Sequence, residues 1–242
     1  MNTSRQQFIN YDIFDYLYAQ SFKSKEQFVW ANFQQFLTEE GFSILYQEFP
    51  SLNLFEKHQG IKRVYGQRPH NRYYLAYEHS TYSQLAHPGK GVVKLNSLPE
   101  SWKIFIEELE NSKEYINFIK FFLGIKSFKA RYVWHIGVTN SEVSPHVDTL
   151  EKIGTHIFYF NTSQDWDGDW GGSTLVLEGK LIDAMNPEFT DFTSVTSTQI
   201  LDNHSFIFKN TPNAWHGVKR LSCPEGKYRK IFKVVIEKVS NN

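Results

Sequence analysis

The sequence predicts an α+β fold in which an α-rich N-terminal half packs on an all-β C-terminal half. Apolar residues recur at helical spacing before residue 124, whereas short alternating segments separated by turn residues follow it. Several short strands at this spacing are typical of a barrel or a double-sheet jelly roll. We therefore expect one domain over residues 1–242, with 1–124 as the α-rich part and 125–239 as the β core.

Two segments of the N-terminal half have the periodicity of amphipathic helices. In 25–37, phenylalanines and aliphatic residues recur every three or four positions, and Gly41 is the expected stop. A second apolar stripe runs through 98–122 and ends before Gly124. Residues 60–87 mix arginines with tyrosines, and they are predicted to form a strand or a long loop that completes a substrate site.

The C-terminal half contains five segments with strand character, each bounded by turn residues. These segments are 128–138, 155–160, 173–177, 205–209 and 228–239. Residues 180–200 are polar, and we expect them to form an irregular insertion over one mouth of the β core.

Charge and cysteine content exclude several classes of protein. The 26 basic and 26 acidic residues give a net charge of zero, which argues against a nucleic acid or an anionic membrane as partner. No run approaches the roughly 18 apolar residues of a membrane span, and residues 1–10 lack the apolar core of a signal peptide. Because Cys223 is the single cysteine, any metal site must use histidine and carboxylate. We expect a cytoplasmic protein.

A candidate metal site begins at His146 and Asp148. Residues two apart in an extended segment point to the same side, so the imidazole and the carboxylate can converge. Strands distant in sequence become neighbours in a jelly roll, which allows His216 to supply a third ligand. Two histidines and a carboxylate with open positions are typical of non-haem Fe(II) oxygenases. A His-x-Asp sequence alone also occurs by chance.

Further motifs accompany this pair in a defined order. They are His146-Val147-Asp148, then Thr155 to Asn161, Asp165-Trp166, Gly171-Gly172 with Leu175-Val176-Leu177, Trp215-His216-Gly217-Val218 and Arg229. In this order the chain resembles the prolyl-hydroxylase-type branch of the Fe(II)/2-oxoglutarate-dependent dioxygenases, over roughly residues 131–236. The resemblance implies a double-stranded β-helix (jelly-roll) core, with Fe(II), 2-oxoglutarate and O₂ as cofactors and co-substrates. It also implies that His146, Asp148 and His216 bind the iron.

The same resemblance implies a basic residue on the last core strand that binds the distal carboxylate of 2-oxoglutarate. Arg229 is our prediction, since a guanidinium forms paired hydrogen bonds with a carboxylate. If Arg229 faces inward, however, Lys233 faces inward as well and brings a second charge. The opposite strand phase is more apolar and makes Lys230 the alternative.

Two further residues are implied to hydrogen-bond this carboxylate, namely Tyr159 and Thr155. Both share an inward strand face with Ile157. A structural role in the core is the alternative for each. His156 has the opposite phase, so we do not expect it to face the metal, and His135 is predicted to be a core or rim residue.

The reaction implied by the resemblance is hydroxylation of an unactivated C–H bond, with decarboxylation of 2-oxoglutarate to succinate. Asp148 favours hydroxylation, because halogenases of this superfamily carry a small residue at that position. The substrate is expected to be a small molecule, an amino acid or a peptide. Arg63, Arg68 and Arg72 are candidate substrate-binding residues, with a solvated surface as the alternative.

Other functions are compatible with the same residues. A cupin-like metal-binding module without redox chemistry would need the three ligands alone. A zinc hydrolase would also need a general base, for which Glu142 and Glu151 are the nearby candidates. An interaction protein with an accidental His-x-Asp sequence would bind no stoichiometric metal.

Overall fold

Helices and two β-sheets make up the computed structural model, which describes residues 6–19, 28–61, 68–81 and 90–239. The helices are α1 (Ile13–Ala19), α2 (Glu39–Gln47), α3 (Glu100–Asn111) and α4 (Lys113–Leu123). The strands are β1 (Trp30–Gln34), β2 (Glu56–His58), β3 (Arg72–Tyr77), β4 (Val92–Val93), β5 (Lys129–Gly137), β6 (Val143–His146), β7 (Lys152–Tyr159), β8 (Leu175–Lys180), β9 (Phe192–Ser197), β10 (His204–Lys209), β11 (His216–Val218) and β12 (Arg229–Glu237). Among the helices described, none combines the length and the apolar character that a membrane crossing requires.

The strands form one large and one small sheet. The larger sheet has the order β1-β10-β7-β12-β5-β3-β2, and β4 adds to it beside β3. The smaller sheet has the order β6-β11-β8-β9. All neighbouring strands are antiparallel except β3 and β4, which are parallel. The predicted combination of helices with antiparallel sheet is therefore confirmed.

Apolar side chains from both sheets meet in one cluster. The larger sheet contributes Ile157, Tyr159, Phe206, Phe208 and Ile231, and the smaller sheet contributes Val176 and Val218. Because these residues pack together, the two sheets face each other.

An aromatic layer joins the outer face of the larger sheet to the helices. Trp102 of α3 is fully buried, with its ring centroid 5.3 Å from that of Trp134 on β5 and 5.1 Å from that of Phe232 on β12. Helix α4 adds Tyr115 and Phe118 to the same cluster. The chain thus has two cores, one on each face of the larger sheet, and this explains its high aromatic content.

The five strands predicted in the C-terminal half are present as β5, β7, β8, β10 and β12, with ends shifted by a few residues. Gly124 ends α4 as predicted, in a left-handed conformation with φ of 67°. The predicted helix over 98–122 is in fact two helices. The Ser112 hydroxyl accepts a hydrogen bond from the Tyr115 N–H at 3.1 Å and caps the start of α4.

The helix predicted over 25–37 is wrong for its described residues. Trp30–Gln34 is a strand that pairs with β10, and the chain then turns at Gln35, whose φ is 58°. Phe28 packs between the two sheets, whereas Phe36 packs in the helical layer. The apolar spacing that resembles one helical face therefore serves two separate cores.

Gly41 is also not a helix stop, because it lies in the first turn of α2. A Cβ atom at this position would lie 2.9 Å from the Cα atom of Phe8, so the absence of a side chain lets the two segments approach closely. The sequence signal that suggested a stop thus reflects close packing.

The N-terminal part is α-rich only in places, since residues 6–124 also supply β1 to β4 of the larger sheet. Residues 180–200, predicted to be irregular, contain β9, which pairs with β8. Of the predicted segment 60–87, residues 72–77 form β3, while 62–67 and 82–89 lie outside the described residues.

Gly154 on β7 tests the close approach of α4 to the larger sheet. A Cβ atom there would lie 2.5 Å from the carbonyl oxygen of Phe208 and 2.8 Å from a methyl carbon of Leu123. We expect Gly154→Ala to lower the free energy of unfolding by about 1–3 kcal/mol, measured by urea denaturation. Gly168→Ala is the control, because no atom lies within 4 Å of its added methyl group. Equal stability of Gly154→Ala and the wild type would contradict this packing.

The burial of His156 in the helical layer makes the stability of the fold depend on pH. This histidine is fully buried, its Nδ1 lies 3.2 Å from the hydroxyl oxygen of Tyr115, and burial lowers its pKa from 6.5 to about 3. Between these pH values the unfolded chain binds a proton that the folded chain does not, so stability is lost as pH falls from 6.5 toward 3.

We expect His156→Phe to make the free energy of unfolding less dependent on pH in this window, by up to about 1.4 kcal/mol per pH unit. Urea denaturation at a series of pH values measures the slope. His79→Phe, at an exposed histidine, is expected to keep the wild-type slope. An unchanged slope in His156→Phe would show that this histidine is already protonated in the folded state.

Candidate active site

Two short strands of the smaller sheet bring the predicted metal ligands together. His146 is the last residue of β6 and pairs in register with His216, the first residue of β11. Asp148 follows two residues after His146. One potential ligand atom from each of the three side chains lies within 4.8 Å of the other two. The structure thus converges the residues that the sequence singled out.

Each histidine of this triad is held by a backbone carbonyl two residues before it. Nδ1 of His146 lies 2.9 Å from the carbonyl oxygen of Ser144, and Nδ1 of His216 lies 2.9 Å from that of Ala214. A carbonyl oxygen only accepts, so each Nδ1–H donates and Nε2 is left as the unprotonated nitrogen. This arrangement fixes both the tautomer and the ring orientation of a metal ligand.

The charge states of the triad also suit a divalent metal. Burial lowers the pKa of His146 and of His216, which keeps both imidazoles neutral. Burial opposes ionisation of Asp148, but the ammonium group of Lys152, whose Nζ lies 2.7 Å from Oδ1, holds the pKa of that carboxyl below its usual value. Two neutral imidazoles and one carboxylate form a donor set that fits Fe(II).

A cavity of about 790 Å³ lies beside the triad, between the two sheets. Alternate residues of β12 line it, from Arg229 through Ile231 and Lys233 to Val235. Thr155 of β7 lines the cavity as well. This is the strand phase in which Arg229 faces inward, and it does bring Lys233 inward with it.

Arg229 is a buried cation with an unused donor. Its Nε donates to the carbonyl oxygen of Gly172 at 2.6 Å, while its buried Nη2 makes no hydrogen bond with any residue in the described ranges. Burial lowers its pKa, and no carboxylate of the described residues acts against this effect. A buried guanidinium requires an anion, so this position fits a carboxylate ligand.

Gly172 makes room for the side chain of Arg229. A Cβ atom on Gly172 would lie 3.1 Å from Cδ and 3.2 Å from Nε of Arg229. Its φ of 102° also disfavours other residues. The glycine pair thus shapes the place where the guanidinium lies.

Lys230, the alternative to Arg229, does not line the cavity. It lies on the opposite face of β12, with Nζ 4.8 Å from the ring centroid of Tyr46 in α2. The physical reason is strand alternation: Arg229 and Lys230 cannot face the same side, and the apolar residues Phe232 and Val234 share the outer face with Lys230.

Tyr159 and Thr155 both lie on the inner face of β7, as predicted. The Tyr159 hydroxyl donates to Thr174 Oγ1 at 2.8 Å and lies 3.2 Å from Thr198 Oγ1, and burial raises its pKa. The Tyr159 ring centroid is 5.6 Å from the guanidinium carbon of Arg229. Tyr159 is therefore next to the predicted carboxylate position, and its hydroxyl fixes Thr174, which lines the cavity.

The structure describes two of the three predicted substrate-binding arginines, and these two have different surroundings. Arg63 lies outside the described residues. Arg68 donates to Glu142 at 2.8 Å and also to Glu188, which links the segment before β3 to the loops before β6 and β9. Arg72 is buried on β3 and lines the cavity.

Sequence reasoning missed the residues that hold Asp148 in place. Lys152 forms the ion pair described above, four residues along the chain. The Asn210 side chain donates to the carbonyl oxygens of Thr149 and Lys152, at 2.9 and 3.0 Å. The spacing of Asp148 and Lys152 offered a weak signal, whereas Asn210 is distant in sequence and offered none.

His135 and His156 lie on opposite faces of the larger sheet. His135 faces the cavity from β5. His156 faces the helical layer, where its ring centroid lies 4.6 Å from that of Phe36.

Comparison with known sequences gives no relative. No protein family model matches the chain, and no curated protein matches it.

Comparison with solved structures gives clear neighbours of low sequence identity. A prolyl-4-hydroxylase from Pseudomonas putida is 13% identical, with a TM-score of 0.55 over 95% of this chain and 98% of that one. The viral collagen prolyl hydroxylase vCPH from Paramecium Bursaria Chlorella virus-1, solved as its 2OG complex, is 11% identical, with a TM-score of 0.53 over 87% of this chain and 96% of that one.

A third neighbour is a prolyl hydroxylase from Trichoplax adhaerens, solved in complex with a peptide fragment of the hypoxia inducible factor oxygen degradation domain. It is 14% identical, with a TM-score of 0.52 over 86% of this chain and 83% of that one. The predicted resemblance is thus confirmed at the level of the fold: the chain has the fold of the prolyl-hydroxylase-type branch of the 2-oxoglutarate oxygenases.

Proposed function

We propose that this chain is an Fe(II)/2-oxoglutarate-dependent dioxygenase that hydroxylates an unactivated C–H bond of a small molecule, an amino acid or a peptide. The observation that carries the proposal is a single cavity that joins a His-Asp-His triad to a buried arginine without an anionic partner in the described part of the chain. The fold shared with prolyl hydroxylases supports it. We also infer that the two facing sheets form a double-stranded β-helix core, within one catalytic domain over 1–242.

In this proposal the metal would be held by Nε2 of His146, Nε2 of His216 and the Asp148 carboxylate. Bound Fe(II), with 2-oxoglutarate and O₂, would supply the oxidising chemistry in which 2-oxoglutarate becomes succinate and CO₂ as the substrate is hydroxylated. Lys152 keeps Asp148 ionised and oriented, and the two backbone carbonyls keep each imidazole in the ligating tautomer.

The remaining cavity residues bind the co-substrate and exclude water. Arg229 would bind the distal carboxylate of 2-oxoglutarate through its unused Nη2, with Gly172 giving it room. Ile157, Phe208 and Val218 give the cavity an apolar wall, which lowers the local dielectric and strengthens this charge pair.

The zinc hydrolase is less compatible with this geometry. Glu142, one candidate base, lies 2.8 Å from Arg68 and 3.6 Å from Arg220, so both of its carboxylate oxygens are engaged in salt bridges. Glu151, the other candidate, is exposed at the cavity rim.

Succinate formation tests the proposal directly. With Fe(II), 2-oxoglutarate and air, the wild type should form succinate slowly without added substrate, and the anaerobic complex should show a weak visible absorption band. We expect Arg229→Met to raise the KM for 2-oxoglutarate about 10- to 100-fold, because charge-assisted hydrogen bonds are lost.

Lys230→Met is the matched control, since it removes a cation from the outer face of the same strand. Its KM for 2-oxoglutarate should equal that of the wild type. A wild type that forms no succinate and binds no 2-oxoglutarate would support a non-redox binding module instead. Peptides should be included among the substrates screened, because the Trichoplax adhaerens neighbour was solved with one.

Asp148→Gly tests the ligand assignment. Loss of one of three ligands should reduce iron in the purified protein to less than about a tenth of the wild-type stoichiometry and abolish succinate formation. Iron analysis and the succinate assay measure the two effects. Asp183→Gly, at an exposed aspartate, should leave both at wild-type levels. Wild-type turnover by Asp148→Gly would refute the role of this carboxylate.

A further inference from the structure

Lys233 is a second cation on the inner face of the strand that carries Arg229. It pairs in register with Val133 on β5 and Ile157 on β7. Beyond these lie Ala76 on β3 and Phe206 on β10. Lys233 is thus the one charged residue in an apolar row across the middle of the larger sheet, and it lines the cavity.

The amine of Lys233 forms no hydrogen bond or ion pair with any residue of 6–19, 28–61, 68–81 or 90–239. Burial lowers the pKa of Lys233 well below the usual value. The nearby cations Arg72, Lys152 and Arg229 lower this pKa further, whereas Asp148 raises it. A cation in such surroundings is costly unless an anion accompanies it.

The acidic residues of the cavity are already engaged. Glu142 pairs with Arg68, and Glu237 pairs with Arg131 at 2.9 Å. Asp148 belongs to the metal triad and pairs with Lys152. Glu151 is exposed at the rim. None of the acidic residues that line the cavity is therefore free to pair with protonated Lys233, whereas an anion that enters the cavity can do so.

His135 is a second polar residue of the same cavity wall. It lies on β5 opposite Ile231, one row from Lys233 on the cavity face. The residue is 6% exposed, and its Nε2 is buried without a hydrogen bond to the described residues. A ligand oxygen that reaches Lys233 can also use this nitrogen.

2-Oxoglutarate cannot supply this anion in the proposed function. It has two carboxylates, of which one belongs with its keto group at the metal and the other at Arg229. Lys233 lies four residues from Arg229, which is about 13 Å along the strand. Since both carboxylates of 2-oxoglutarate are used elsewhere, the anion that binds Lys233 is expected to belong to the substrate.

We propose, on the basis of the proposed function, that the substrate is a small carboxylic acid whose carboxylate binds Lys233 and His135. The carboxylate would lie against the floor of the cavity, and the carbon to be oxidised would face the triad. Lys233 is then a specificity-determining residue that selects acids over neutral analogues.

A free acid suits this position better than an acidic side chain of a peptide. Lys233 is at the centre of β12, four residues from either end, so its amine lies on the cavity floor. Beside the cavity, the salt bridges of Arg68 to Glu142, which lines it, and to Glu188 join three segments of the chain. A molecule small enough to enter completely can reach the floor.

Direct binding tests the inference without knowledge of the natural substrate. The protein is loaded with Zn²⁺, which prevents turnover, and saturated with 2-oxoglutarate. Binding of acetate, propionate and benzoate is measured by calorimetric titration, and each acid is compared with its amide. An acidic tripeptide amide tests whether the carboxylate of a peptide side chain binds instead. We expect the acids to bind at least about tenfold more tightly than the amides and than the tripeptide. Lys233→Met should weaken the binding of the acids about 10- to 100-fold.

Lys230→Met is again the matched control and should bind the acids as the wild type does. Lys233→Met should weaken the binding of the monocarboxylates more than the binding of 2-oxoglutarate. Arg229→Met should weaken the binding of 2-oxoglutarate more than that of the monocarboxylates. The melting temperature of Lys233→Met should be equal to or above that of the wild type, because methionine replaces a cation in an apolar row. Lost binding in a folded variant then reports on the ligand site.

Three results would overturn the inference. The first is a wild type that binds acids no better than amides, and the second is a Lys233→Met variant with wild-type affinity for the acids. In the third, Lys233→Met weakens 2-oxoglutarate as much as Arg229→Met does, which would make Lys233 a co-substrate residue. Preferred binding of the tripeptide would assign the site to peptides. Failure of the wild type to bind 2-oxoglutarate is measured separately, and it would overturn the proposed function together with this inference.

Discussion

The pairing of β6 with β11 is the constraint on which the site depends. It places His146 directly opposite His216, although 70 residues separate them, and each ring is then oriented by the carbonyl two residues before it. Because both imidazoles are buried, they stay neutral and cannot relax into solvent. A shift of either strand by one residue would turn its histidine to the other face of the sheet. The geometry of a metal site thus follows from the register of two strands of three and four residues.

The two faces of β12 differ in charge: its outer face packs in an apolar layer that stabilises the fold, and its inner face carries the cations of the cavity. The outer face packs Phe232, Val234 and Ile236 into the aromatic layer under the helices. The inner face carries Arg229 and Lys233, two cations without an acidic partner among the described residues. Buried unpaired charge destabilises the folded state. The outer layer therefore supplies the stability that permits a cationic cavity wall on the other side of the same strand.

The sequence predicts the long strands and the metal ligands well, but for different reasons. The alternation of β5 and β12 and their turn residues are local signals, so both strands are predicted. β6 and β11 are too short for alternation to show, and one contains Pro145 and the other Gly217. The His-x-Asp spacing and the motif resemblance, rather than strand alternation, point to their histidines. The helix predicted over 25–37 fails because local spacing does not tell which of two cores an apolar residue enters.

Pairing between charges is the part of the site that a sequence cannot supply. Strand phase gives the directions of Arg229 and Lys233, but the state of each cation depends on acids brought near it by other segments. Glu142 is neutralised by Arg68, which comes from the segment before β3, and Asp148 by Lys152, which comes from the following strand. In the described part of the chain, Lys233 has no acidic partner of this kind, and its cross-strand neighbours Val133 and Ile157 are apolar. Its chemical meaning emerges only when every carboxylate in the cavity has been assigned, and that assignment requires the tertiary structure.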